Sequence, residues 1–185
     1  MGKPIANLRM FVGLYPPPEA AATLAGLLDG LDLPAHRRTP VEQLHMTAHF
    51  IGDVPLAEVD GVVESVERSA SGLEGFELGP QRLVSLPQRG PARLVAVETD
   101  APATLMELHR RLVHRLATSP RQRADERFLP HITLCRFGSP AAGLHIDQAV
   151  TAGPWRIDRV RLMRSILRAE GAEHLLVAEL ALSGV

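Results

Sequence analysis

Two stretches decide how this sequence is read: Leu44-His45-Met46-Thr47-Ala48-His49-Phe50 and Pro130-His131-Ile132-Thr133-Leu134-Cys135-Arg136-Phe137. Each sets His-x-Thr inside an otherwise apolar segment that reads as a strand. Successive strand side chains take opposite faces, so His45 and Thr47 point one way, as do His131 and Thr133, while Met46, Ala48, Ile132 and Leu134 point the other. One such copy describes any half-buried strand. Two copies in similar settings predict a duplicated unit: two lobes related by a pseudo-twofold axis, facing each other across a cleft. The same rule returns His49 to the face of His45, which makes it a candidate cleft-lining, substrate-binding residue. It turns Arg136 away from the His131 face unless the strand ends or bulges near Cys135.

Outward from these strands, Leu8 to Tyr15 reads as an opening strand stopped by Pro16-Pro17-Pro18, which also begins a helix carrying Leu24, Leu27, Leu28 and Leu31. Val59, Val62, Val63 and Val66 mark a second helix. Phe76 to Leu86 and Ala92 to Glu98 read as a hairpin turning at Pro87 to Pro91. Asp100 is placed to cap a third helix with Leu105, Leu108, Leu112 and Leu116 as its apolar face. Trp155 to Leu182 suggests a last hairpin turning near Glu170-Gly171. This order predicts an α+β fold of two pseudo-symmetric, mostly antiparallel lobes with helices packed outside. Residues 1–185 are expected to form a single domain, since the length suits one full core.

Composition narrows the function. The 20 Lys and Arg nearly balance the 21 Asp and Glu, so an anionic ligand must be held locally rather than by overall charge. The single cysteine, Cys135, permits no intramolecular disulfide and suits a reducing compartment, with the cytoplasm as the expectation. Cys135 reads as a small buried hydrophobe. No apolar run is long enough to cross a bilayer, so no membrane is expected. Neither a Gly-rich phosphate loop nor a dinucleotide fingerprint is present. His49 after His45 has the spacing of a helical zinc pair, but its surroundings are those of a strand and no acidic residue accompanies it, so no metal and no cofactor are expected. The histidines at 36, 109, 114, 145 and 174 read as surface residues. Arg121, Arg123 and Arg127 make a basic loop that is either simply solvated or placed to meet an RNA backbone.

The two motifs, with Arg9-Met10-Phe11-Val12-Gly13-Leu14 before them and Val160 to Leu167 after, resemble the 2H phosphoesterase superfamily, in particular its RNA 2′,3′-cyclic phosphodiesterase (2′-5′ RNA ligase-like) branch. The chain departs from that pattern where the family often carries a Trp, at Arg93 to Val97, and an aromatic near Gly171, where this chain has His174. The resemblance implies metal-independent hydrolysis of an RNA 2′,3′-cyclic phosphate to a 2′-phosphomonoester, with His45 as proton donor, His131 as proton acceptor, and Arg136 as a substrate ligand. Implied partners are RNA with a cyclic phosphate end or small cyclic nucleotides, with no obligate protein partner. Reversible 2′-5′ RNA ligation and a non-catalytic RNA- or nucleotide-binding module are the alternatives.

The residue types suit that chemistry. Ring opening by water needs one group to take a proton and another to give one, and two imidazoles titrating near neutrality do both. Threonine hydroxyls and an arginine stabilise the charge that builds on the phosphoryl oxygens.

Overall fold

The computed structural model describes residues 7–117, 128–168 and 171–184; the Arg121, Arg123 and Arg127 loop lies outside them. Among the described residues, eleven strands and three α-helices follow in order: β1 (Asn7–Leu14), α1 (Pro18–Gly26), β2 (His36–Arg38), β3 (Met46–Pro55), α2 (Val59–Ala70), β4 (Phe76–Leu78), β5 (Pro80–Leu86), β6 (Ala92–Thr99), α3 (Ala103–Leu116), β7 (His131–Ala141), β8 (Asp147–Ala149), β9 (Trp155–Ile157), β10 (Arg159–Arg168) and β11 (Gly171–Ala181). The main sheet runs β11-β10-β1-β3-β7-β6-β5-β8, and every ladder in it is antiparallel. The fold is α+β, as the order of elements implied.

The middle of that sheet positions everything else. β3 and β7, the two motif strands, share one pair, Met46 with Ile132. One lobe, β11-β10-β1-β3, lies on one side of this pair and the other, β7-β6-β5-β8, on the opposite side. Continuing the antiparallel register by one residue each way sets His45 beside Thr133 and Thr47 beside His131. Past this pair β3 diverges, and β2 takes over the same edge of β7, aligning His36, Arg37 and Arg38 with Phe137, Arg136 and Cys135.

The helices cover the apolar face. Met46, Ile132, Leu134 and the α3 residues Leu105, Leu108 and Leu112 are almost wholly buried in one core, each contributing on the order of 1.5–3 kcal/mol relative to exposure. α3 packs against α2 and β3. Its N-terminus differs from expectation: Pro102 occupies the cap position with no side-chain cap bond, and Asp100 instead accepts a 2.8 Å hydrogen bond from the Gly79 N–H. That bond pins the point where Phe76 to Leu86 breaks into two strands. β4 leaves the main sheet to pair with β9, and β5 stays in it. A Cβ on Gly79 would lie 3.3 Å from the Asp100 carboxylate, so the close approach favours glycine. Among the described residues no helix is long and apolar enough to cross a membrane.

Candidate active site

Both motif strands carry a β-bulge at the same place in the motif. In β3, Val12 pairs with His49 and Gly13 with Thr47, leaving Ala48 as the extra residue. In β7, Val95 pairs with Cys135 and Ala96 with Thr133, leaving Leu134 extra. A bulge puts two successive side chains on one face and resets the alternation beyond it. Ala48 and His49 therefore both turn into the core, and Leu134 and Cys135 do the same. The next residues, Phe50 and Arg136, swing back to the face of the histidines and threonines.

Each extra residue has a carbonyl outside the ladder, and each finds a donor elsewhere, as buried backbone groups require. Ala48 O accepts from His109 Nδ1 at 2.7 Å; Leu134 O accepts from the Thr39 N–H at 2.8 Å. His109, expected at the surface, is accordingly buried, with Phe128 stacked on it at 4.0 Å.

The bulges sort the candidate residues. His45, Thr47, His131, Thr133 and Arg136 line one cleft of about 1040 Å³. The condition under which Arg136 reaches that face is therefore met. His49 is not brought there: it is 2% exposed and faces the His109 ring at 6.5 Å on the helix side. Burial there, and then His109, push its pKa down to about 4. The alternation that placed His49 beside His45 does not survive the extra residue at Ala48. A second groove of about 970 Å³, behind Tyr15, holds none of the motif histidines or threonines.

The two catalytic candidates are held alike. His45 Nδ1 donates to Gln43 O at 2.7 Å, and His131 Nδ1 donates to Leu129 O at 2.8 Å, in each case the carbonyl two residues back. A carbonyl only accepts, so Nδ1 carries the proton on both rings. This fixes each ring's orientation and leaves Nε2 as the working nitrogen, a base when neutral and an acid when charged.

Their surroundings differ. His45 is walled by three rings: Phe11 stacked at 4.8 Å, Tyr15 stacked at 5.2 Å and His174 edge-on at 5.1 Å. Gly13 makes room for the cluster, since a Cβ there would come within 3.0 Å of the Tyr15 ring and 3.2 Å of Phe11. Burial pushes the His45 pKa down to about 4 against the opposing bond to Gln43, with His174, Arg136 and His131 adding repulsion. Burial also pushes Tyr15 up to about 12, partly offset by Arg161, whose guanidinium lies 5.0 Å from the Tyr15 ring, so the phenol stays neutral. Without an anion in the cleft, His45 is therefore neutral at pH 7.

The sequence pattern assigns His174 to the surface, yet it lines the cleft. The long β10–β11 hairpin folds back beside β1 and brings it there, a contact with no local signature. Phe11 and Arg37 enter the cleft in the same long-range way. Among the described residues no group of three or more His, Cys, Asp and Glu is placed to hold a metal ion.

The family model of the 2′-5′ RNA ligase superfamily matches residues 16–167, a span that includes both motifs. No curated protein gives a significant match. Solved structures share the fold over nearly the whole chain. TT0787 of Thermus thermophilus is 23% identical with a TM-score of 0.83, covering 96% of this chain and 99% of its own. E. coli LigT complexed with phosphate is 22% identical, TM-score 0.76, over 96% and 98%. E. coli LigT complexed with 3′-AMP is 22% identical, TM-score 0.77, over 96% and 99%. By that family match, and with a fold shared across these structures, the chain belongs to the 2′-5′ RNA ligase superfamily, the 2H phosphoesterases.

Proposed function

We propose that the protein hydrolyses the 2′,3′-cyclic phosphodiester at an RNA end to a 2′-phosphomonoester, with His45 and His131 as the acid and base. The observation that carries this reading is the matched pair of imidazoles, each held through Nδ1 and each presenting Nε2 to one cleft beside a threonine. Phosphate and 3′-AMP in complexes of E. coli LigT support a phosphate-bearing ribonucleotide as the ligand class. The cytoplasm is the setting we propose. Residues 1–185 would act as one domain, because the Met46–Ile132 pair joins both lobes in one sheet and neither lobe alone completes the cleft.

In the proposed reaction, neutral His131 Nε2 takes a proton from water, whose oxygen bonds to phosphorus. The bond from phosphorus to the ribose 3′ oxygen breaks, and His45 Nε2 gives that oxygen its proton. One water is added, and solvent exchange restores both imidazoles. Thr47 and Thr133 donate to the non-bridging oxygens, where Arg136 adds fixed positive charge. His45 must be charged to act as donor, and the phosphodiester anion is what charges it: a negative group in the cleft offsets the burial and repulsion that keep the empty site neutral. With the 5′ hydroxyl of a second RNA in place of water, His131 taking its proton and His45 protonating the departing 3′ oxygen, the same steps form a 2′-5′ phosphodiester, so 2′-5′ ligation at this site is the second reading.

The test is chromatographic product analysis of an oligonucleotide with a 2′,3′-cyclic phosphate end, and of small cyclic nucleotides, against authentic 2′ and 3′ monophosphates with and without a chelator. A 2′-phosphate formed at the same rate under both conditions is expected. A dominant 3′ product would reject the regiochemistry. Loss of activity with chelator, restored by one particular metal, would reject the mechanism.

A further inference from the structure

One buried side chain outside the cleft touches the supports of both motifs. His109, on α3, is 8% exposed, and its Nδ1–H donates to Ala48 O at 2.7 Å. Ala48 is the extra residue of the β3 bulge, directly after Thr47. The face of the same ring stacks on Phe128 at 4.0 Å, with the planes 9° apart. Phe128 precedes Leu129, whose carbonyl holds His131 Nδ1 at 2.8 Å.

Backbone pairing does not hold this junction. Met46 and Ile132 are the one register pair between β3 and β7. Two residues further along β3 the same register would set Ala48 opposite Pro130, which has no N–H to donate. The Pro130 carbonyl accepts instead from the Thr99 N–H of β6 at 3.0 Å. The two motif strands therefore part just behind the reacting groups, and His109 meets both sides of the gap. The two bulges also differ in what holds them. Leu134 O takes a backbone donor, the Thr39 N–H, whereas Ala48 O takes a side chain. Burying a polar ring beside Leu105, Leu108 and Leu112 costs free energy that an apolar residue would avoid, so the packing of α3 alone does not account for a histidine there.

We propose that His109 is a positioning residue for the two-histidine site: its bond to Ala48 O and its stack on Phe128 together fix the spacing at which Thr47 and His131 flank the phosphate. This rests on the cyclic phosphodiesterase reading and adds to it a residue of the helix layer, outside the cleft lining. A displacement of about 1 Å at a reacting group costs up to about 10²-fold in rate, so a support that joins both motifs governs turnover without touching substrate.

Substitutions at this ring separate positioning from packing. His109→Leu keeps an apolar side chain in the core and removes both the donor and the ring; His109→Asn returns an amide N–H near the place of Nδ1. On a cyclic nucleotide His109→Leu should lower kcat by roughly 10- to 100-fold with KM nearly unchanged, because the groups that bind the ground state stay in the cleft. His109→Asn should recover much of that loss. Leu116→Ala, at the C-terminal end of α3, should lower the melting temperature and leave the kcat of the folded protein as it was. Unaltered kcat in His109→Leu, equal impairment of His109→Leu and His109→Asn, or a matching kcat loss in Leu116→Ala would each overturn the proposal, the last by reducing the effect to a looser core.

Absence of turnover in the parent protein would instead reject the cyclic phosphodiesterase reading. NMR then still reads the geometry, through the Thr47 methyl and the His131 imidazole, which lie on different strands. His109→Leu should shift both signals, and Phe128→Leu, which removes the stack and spares the bond, should shift that of His131. Phe128→Leu also serves where His109→Leu does not fold. A His131 signal that neither substitution moves would overturn the proposal whether or not the protein turns over a cyclic phosphate.

Discussion

Binding of a phosphodiester should draw a proton onto His45. The perturbation is a ligand that brings one fixed negative charge and titrates nowhere near the range of interest, such as thymidylyl-thymidine, whose deoxyribose cannot cyclise. In the empty cleft burial and the neighbouring His174, Arg136 and His131 hold His45 at about 4; an anion that restores the ordinary value of about 6.5 supplies about 3 kcal/mol of differential interaction. At pH 5.5 the ring is then about 3% protonated before binding and about 90% after, an uptake near 0.9 proton per site. Between the two pKa values the affinity should weaken by nearly tenfold for each unit of rising pH, because binding consumes a proton that the free protein lacks. Calorimetric titration at pH 5.5 in buffers of different ionisation heat measures the uptake directly. His174 also faces the cleft with a lowered pKa, so His45→Ala is the control that assigns the proton. Zero uptake, or uptake undiminished in His45→Ala, would refute the claim that substrate charges the acid.

Replacing either His45 or His131 by Ala should lower turnover of a cyclic nucleotide by roughly 10²- to 10⁴-fold, and steady-state kinetics should show the double variant losing less than the product of the singles. His174→Ala should raise the His45 pKa, since it removes both a shielding ring and a repelling neighbour; an imidazole NMR titration that leaves His45 unmoved would contradict this. Acid should destabilise the fold through His45 and His49: both are held at about 4 in the folded state against an ordinary value of about 6.5, so the unfolded chain binds more protons between these limits and stability falls as pH drops from about 6.5 to about 4. Thermal unfolding of His49→Leu should show a shallower decline over that window than the parent protein, and an equal slope would dismiss His49 as a contributor.

Period-two alternation sufficed to unite His45 with Thr47 and His131 with Thr133, because no bulge interrupts either His-x-Thr. It failed one residue later. Neither Ala48 nor Leu134 is a residue type that announces a bulge, and what stabilises each lies far off in sequence: the His109 side chain on α3 for one and the Thr39 N–H beyond β2 for the other. Hence His49 went inward while Arg136, subject to the same rule, came outward. His174, Phe11 and Arg37 reach the cleft through sheet topology rather than local pattern, so no window of sequence around the motifs could name them. Asp100 shows the same limit at a helix start: its position suits a cap, but the neighbouring Gly79 N–H claimed its carboxylate.

The division of labour between the histidines is tested by leaving-group rescue. A phosphodiester whose leaving group is too acidic to need protonation makes the general acid dispensable and leaves the base necessary. This substrate should restore much of the rate to His45→Ala while His131→Ala stays impaired. Rescue of His131→Ala instead would reverse the assignment, and near-normal activity of either variant on the cyclic RNA end would contradict the two-histidine mechanism itself.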